Sequence, residues 1–381
     1  MMLLLASSLM KAETVEIDGI NYEIVSGGKA AVVTKGNYSG SIIIPESITY
    51  NGKKMDIVSI GREAFANCVE LQSITIPNTV TSISYYAFGG CTKLTSINVP
   101  LSVNSIDENA FEDCRSLTSF VIPEGLQIIN SFTFANCTSL NSVTIPNSVT
   151  EIHAGAFQGC ESLSSITLPD NLIVLQKWAF QKCLNLISVK IPNNIYEIAP
   201  LLFFGCSNLK SVEFNERTET IQEGAFQGCT SLENIRIPSF VSTIVMNAFR
   251  GCTSLKTIVF ESPYGFKLGE KAIAECPNLE KIYCYSETVP DAHKDAFADS
   301  YIQFVNLYVP QAVIGEYKST SPWKEFKDIL DIETASIKKI LIEQQENEIY
   351  GIDGNKRNNL KNGLNILRNR NGKTKKVLVT Q

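Results

Sequence analysis

Eleven cysteines, two histidines and one Gly-Lys-Thr are the residues of this 381-residue chain whose types could carry chemistry. Zinc sites want cysteines two to four residues apart, and the closest pair is Cys276 and Cys284. Cys–His catalysis needs a partly exposed, activated thiolate, and neither His153 nor His293 stands in such a constellation. His153 shares a polar column with Ser84, Asp107, Asn130 and Gln176, so a solvated imidazole is expected. A phosphate loop ending at Gly372-Lys373-Thr374 would need glycine five positions before Gly372, where Leu367 stands. No pair of carboxylates repeats in a way that builds a cleft. The residues therefore point to no catalytic site, no metal and no cofactor.

The cysteines instead mark a period. Cys68, Cys91, Cys114, Cys137, Cys160, Cys183, Cys206, Cys229 and Cys252 are 23 residues apart, and Cys276 follows after one extra residue. Three residues before each of the nine comes a phenylalanine, from Phe65 to Phe249, and three after comes a leucine, from Leu71 to Leu255. A fixed period of this size marks a solenoid, because one unit cannot bury its own apolar face and must stack on its neighbours. Cysteine is small and readily buried, which predicts an internal file of free thiols. Rungs about 4.8 Å apart bring the sulfurs close, but parallel Cβ vectors suit a disulfide poorly.

Within a rung, Leu71, Ile74 and Ile76 alternate with Ser73 and Thr75, a strand with one buried face that Pro77 ends. Val80-Thr81-Ser82-Ile83 reads as a second extended piece, and Ala87–Cys91 as a short helical turn pointing Ala, Phe and Cys inward. Roughly eight inward side chains per rung, at ~1.5–3 kcal/mol for the larger ones, predict a right-handed parallel stack. Composition agrees: 44% hydrophobic and 19% charged residues describe an ordered chain. A net charge of -6 gives no reason to expect nucleic acid.

The flanks divide further. Residues 1–12 resemble a secretory signal peptide truncated at its start, with a short apolar core and Ala12 but no basic segment before them. Residues 13–59 alternate in short runs around Asn51-Gly52, an N-terminal β cap covering the first rung. The solenoid is expected over 60–285 and a C-terminal α+β cap over 286–333, where Ser321-Pro322-Trp323 carries a helix-start signature. Residues 334–381 form a linker and a small antiparallel β segment, with eight Lys/Arg and no Asp/Glu from Gly354 onward. No stretch is long and apolar enough to span a bilayer.

The pattern A-F-x-x-C-x-x-L-x-S-I-x-I-P-x-x-V-x-x-I resembles the BspA-like leucine-rich repeat of surface proteins, over about residues 60–285. The resemblance implies an α/β repeat solenoid of the leucine-rich-repeat kind, with one short parallel strand per rung on a concave side. Departures are Asn215 for the proline, Thr133 and Leu202 for the alanine, and Ile273 for the phenylalanine, so less regular rungs are expected there. Tyr350–Gln381 is similar to the C-terminal sorting signals of Bacteroidetes proteins exported by the type IX system, which implies export and possible removal of the tail.

Two outward files remain. One runs Ser73, Ser96, Ser119, Ser142, Ser165, Ser188, Ser211, Asn234 and Thr257; its small hydroxyls suit close stacking. The other, Thr75, Asn98, Val121, Thr144, Thr167, Lys190, Glu213, Arg236 and Val259, varies, and variation on a rigid array makes a recognition surface. Thr144, Thr167, Lys190, Glu213 and Arg236 are the expected partner-binding residues. The resemblance implies a secreted or cell-surface protein on the bacterial exterior, binding a host matrix or plasma protein or another bacterial surface. Rival readings are a spacer without ligand, an ice- or water-ordering Ser-x-Thr face, and a carbohydrate-binding module; the last needs exposed aromatics that these files lack.

Overall fold

The computed structural model describes residues 13–25, 30–333, 348–351, 356–357, 363–368 and 374–379. The apolar segment 1–12 lies outside them. The chain forms a right-handed β-solenoid whose rungs each carry two extended pieces. The first, such as Leu71–Thr75 or Asn234–Ile237, presents alternate residues inward and outward. The second is a two-residue strand, such as Ser82–Ile83 or Glu151–Ile152, with its isoleucine buried. Pairing is parallel and in register at one residue per rung: Ser73 faces Ser96, and Ile221 faces Ile244.

The expected short helical turn is absent. The segment closing each rung is a chain of β-turns, with Ala87 N–H donating to Ser84 O, Cys91 N–H to Phe88 O and Leu94 N–H to Cys91 O. A left-handed residue stands two positions before and two after each phenylalanine, as at Phe132 (φ 55°) and Asn136 (φ 59°). Such residues interrupt a helix after one turn, and they release backbone groups to the next rung. Phe88 N–H thus donates to Ala110 O at 2.8 Å and Gly90 N–H to Glu112 O at 2.8 Å. Gly159 (φ 72°) takes the left-handed torsion without a Cβ, where one would meet Asn136 Oδ1 at 2.6 Å; Asp113, Asn136 and Lys182 hold the same torsion in other rungs.

Inside, Phe65, Phe88, Phe111, Phe134, Phe157, Phe180, Phe203, Phe226 and Phe249 stack in one file. Their ring centroids are 5.0–5.7 Å apart and their planes within 13° of parallel. Tyr38 covers the first ring at 4.6 Å.

The ends are closed differently. Glu13–Ile17, Ile20–Ile24 and Ala30–Val33 form an antiparallel set, and Ala30–Val33 joins Lys53–Ile60, the strand that passes into the lateral ladder at Ser82–Ile83. Ser47–Tyr50 folds on Lys53–Ile60 through Asn51-Gly52, both at positive φ. At the far end Phe297, Tyr317, Trp323 and Phe326 pack edge to face, and Trp323 Nε1–H donates to Pro290 O at 2.9 Å. The helix-start signature at Ser321 yields one 3-10 turn, Trp323–Glu325, and Ser321 bonds the Glu325 carboxylate instead of a backbone N–H. A four-residue α-helix, Ile314–Tyr317, lies in the same cap. The tail strands Glu348–Gly351, Lys356–Arg357, Gly363–Arg368 and Thr374–Val379 form an antiparallel sheet of their own.

Ladder pairing is interrupted beside the rungs of Thr133 and Asn215, as expected of less regular rungs, yet both substituted side chains find partners. Asn215 is buried, donates to Pro192 O and Ile195 O at 2.8 and 2.7 Å, and accepts from Arg217 N–H. Thr133 donates to Asn130 O at 2.7 Å.

Candidate functional site: the thiol file and the strand face

All eleven cysteines are free and buried. The thiols are more than small apolar groups. Cys91 Sγ–H donates to Phe65 O at 3.1 Å, and the same bond recurs at Cys114, Cys137, Cys160, Cys183, Cys206, Cys229 and Cys252 with the phenylalanine carbonyl of the preceding rung. Each such carbonyl already accepts the i+3 amide, so the thiol occupies its second lone pair. Cys276 donates to Phe249 O at 3.4 Å, and Cys68 at the first rung to Gly36 O at 3.4 Å. Where the file ends, Ser300 stands in the cysteine position and its hydroxyl donates to Ile273 O at 2.6 Å, preserving the bond. Burial pushes the thiols up, to about 12 at Cys91, Cys206 and Cys276. They stay protonated at neutral pH and are poor nucleophiles.

The histidines are separate. His153 is half-buried and sits 2.8 Å from Glu151 Oε2, so the solvated imidazole expected from the sequence is a paired one. His293 Nδ1 accepts from Asp295 N–H at 3.2 Å. No group of three or more potential metal ligands occurs among the described residues.

The strand face carries the variable file. Thr75, Asn98, Val121, Thr144, Thr167, Lys190, Glu213 and Arg236 are all exposed. The structure brings Lys190 and Glu213 together as an ion pair at 3.4 Å. Arg236 is drawn away from Glu213 to the carboxylates of Glu216 and Glu261, whose hydrogen bonds hold its guanidinium charged. Thr144 lies on a paired strand, while Thr167 lies in a rung that forms no strand on this side.

The file does not end at Val259 but runs on for three more strands. Register carries it from Val259 to Tyr283, Tyr308 and Leu330. The expectation of a face without aromatics therefore fails. Tyr283 and Tyr308 are half-buried and stack on one another, with centroids 4.8 Å and planes 13° apart. Their faces cover each other, leaving edges and hydroxyls outward, a poor surface for a sugar ring. The signal was a phenylalanine-free repeat: Ile282-Tyr283-Cys284 keeps the inward residues while the motif around it fades. Among the described residues no helix is long and apolar enough to cross a membrane.

Comparison with known proteins agrees with this geometry. The BspA type leucine rich repeat region matches residues 58–187 and 177–304 in six copies. The pneumococcal vaccine antigen PcpA is 20% identical, covering 84% of this chain and 98% of its own, with a TM-score of 0.52. A leucine-rich repeat protein from Bacteroides ovatus is 28% identical over 71% of this chain and 94% of its own, at a TM-score of 0.40. A leucine rich cell surface protein from Faecalibacterium prausnitzii is 24% identical over 72% and 95%, at 0.42. Curated protein sequences give no match. Solenoids of this kind are scaffolds typical of binding proteins, not of catalysts. With its repeats matched over most of the solenoid, the chain belongs to the BspA-type leucine-rich repeat family.

Proposed function

We propose that this chain is a secreted or surface-displayed recognition protein whose strand face binds an extracellular protein, either a host matrix or plasma protein or the surface of another bacterium. One observation carries the reading: along a single file of constant backbone, side chains pass from Thr144 and Thr167 to Lys190, Glu213, Arg236, Val259, Tyr283 and Tyr308. Arginine and tyrosine are the types that dominate protein–protein contacts, and a rigid array holds them at little further entropic cost. The description of the Faecalibacterium relative as a cell surface protein supports the location.

In the same reading Tyr350–Gln381 is a type IX-like sorting segment; its four strands fit a small independent unit. Deleting it should leave the solenoid's melting temperature unchanged and retain the protein inside the cell; normal export of the deleted form would refute this part. For binding, the chain immobilised over plasma and matrix proteins should retain a partner that Arg236→Ala/Tyr283→Ala/Tyr308→Ala releases. A spacer role is the second reading, and an array that retains nothing from host or neighbouring bacteria would favour it.

A further inference from the structure

We infer that the solenoid bends at one built-in hinge, the interface between the rung of Phe111 and the rung of Phe134, and that Phe120 is the wedge that opens it. Both strand ladders are interrupted there and nowhere else so completely. Ser96–Asn98 does not pair with Ser119–Val121, and Ser105–Ile106 does not pair with Ile128–Ile129. Among the described residues no backbone hydrogen bond joins 92–106 to 116–128. Both ladders also break between the rungs of Phe180 and Phe203, where residues 165–167 form no strand and Val174–Leu175 does not pair with Glu197–Ile198, but there Ile187 N–H still bonds Ser164 O and Asn185 N–H bonds Glu161 O, each at 3.1 Å.

One side chain sets this interface apart. Phe120 takes the inward strand position held by Ile74, Ile97, Val143, Ile166 and Val189. Its ring stands at 59° to Phe111 and 64° to Phe134, 5.0 and 4.7 Å from them, wedged between the two rungs. Phe214 stands two positions further along its rung than the equivalent of Phe120; it lies edge-on to Phe226, and there the strand face breaks between Ser211–Glu213 and Asn234–Ile237 while the lateral ladder holds. Phe260, whose ring packs on Phe266 at 4.6 Å, leaves both ladders continuous.

What remains at the hinge is on the turn side. Asn109 N–H bonds Ser131 O, Phe111 N–H bonds Thr133 O and Asp113 N–H bonds Ala135 O, at 2.8–3.0 Å. On the lateral side a cleft of about 350 Å³ opens between Asn104–Ile106 and Gly125–Asn130. It is spanned by Asn130 Nδ2–H donating to Ile106 O at 2.7 Å, a side chain in place of a ladder bond. The turn bonds form the axis, and rotation about it widens or narrows the strand side.

The test uses spin labels on the full chain, since the buried native thiols resist labelling. One pair, Ile43→Cys with Thr144→Cys, spans the hinge over four rungs of one file. A second, Asn234→Cys with Asp328→Cys, spans four rungs of one continuous sheet. The distance distribution should be broader across the hinge than in the control, and Phe120→Ile should narrow it to the control's width. Equal widths in the native chain, or a hinge distribution unaltered by Phe120→Ile, would overturn the inference. Phe120→Ile restores the residue of neighbouring rungs, and an unshifted control pair verifies that the variant is folded.

Discussion

The rungs before Thr167 and the rungs after Lys190 share one interior and wear different surfaces. Inside, both halves continue the same phenylalanine and cysteine files with the same thiol-to-carbonyl bond. Outside, the variable file shows Asn98, Val121, Thr144 and Thr167 in the first half and Lys190, Glu213, Arg236, Tyr283 and Tyr308 in the second, while the serine file continues through Ser188 and Ser211. The difference teaches that the stack is held by side chains the surface does not share, which leaves the exposed ones free for the proposed recognition. A surface can then change rung by rung without disturbing the stack.

The largest effect that could break this comparison is alkaline. Burial raises the folded thiol pKa above that of the unfolded chain, so stability is complete below the unfolded value and is lost as pH rises toward the folded one. Each thiol should contribute a slope of about 1.4 kcal/mol per pH unit, and the file as a whole a steep loss between about pH 9 and 12. Denaturant midpoints measured across that range check it; a flat profile would mean the thiols are not buried. Next, Phe157→Ala and Phe226→Ala should each cost about 3–5 kcal/mol by chemical unfolding. Their near equality is the point, since unequal costs would show that the two interiors differ.

Replacing Cys160 by alanine should cost about 1–2 kcal/mol for the lost bond and the space it leaves, whereas Cys160→Ser should keep the bond, as Ser300 does. The smallest expected effect is at the surface. Lys190→Ala removes an exposed ion pair and should shift stability by no more than about 1 kcal/mol.

Much of the interior was legible because its signals are redundant: a phenylalanine, a cysteine and a leucine at fixed spacing leave one solution. The turn chain was misread as helical, although Gly90, Asp113, Asn136 and Gly159 recur two residues after the phenylalanines and favour left-handed torsions. The thiol bonds were hidden because cysteine reads first as a small apolar residue. The end of the variable file is hidden for another reason. Its register is set by strand pairing across the extra residue near Cys276, and Tyr308 and Leu330 belong to strands outside the repeat pattern.

The separation of interior from surface is tested most directly by comparing two triple variants for retention of extracellular proteins. Arg236→Ala/Tyr283→Ala/Tyr308→Ala should lose retained partner at least about tenfold, as removal of interface anchors worth about 2 kcal/mol would require. Thr75→Ala/Asn98→Ala/Val121→Ala, at exposed positions of the same file outside the expected binding set, should retain it unchanged, with both proteins melting together with the native chain. Equal retention by the two variants, or loss confined to the Thr75/Asn98/Val121 variant, would contradict the account.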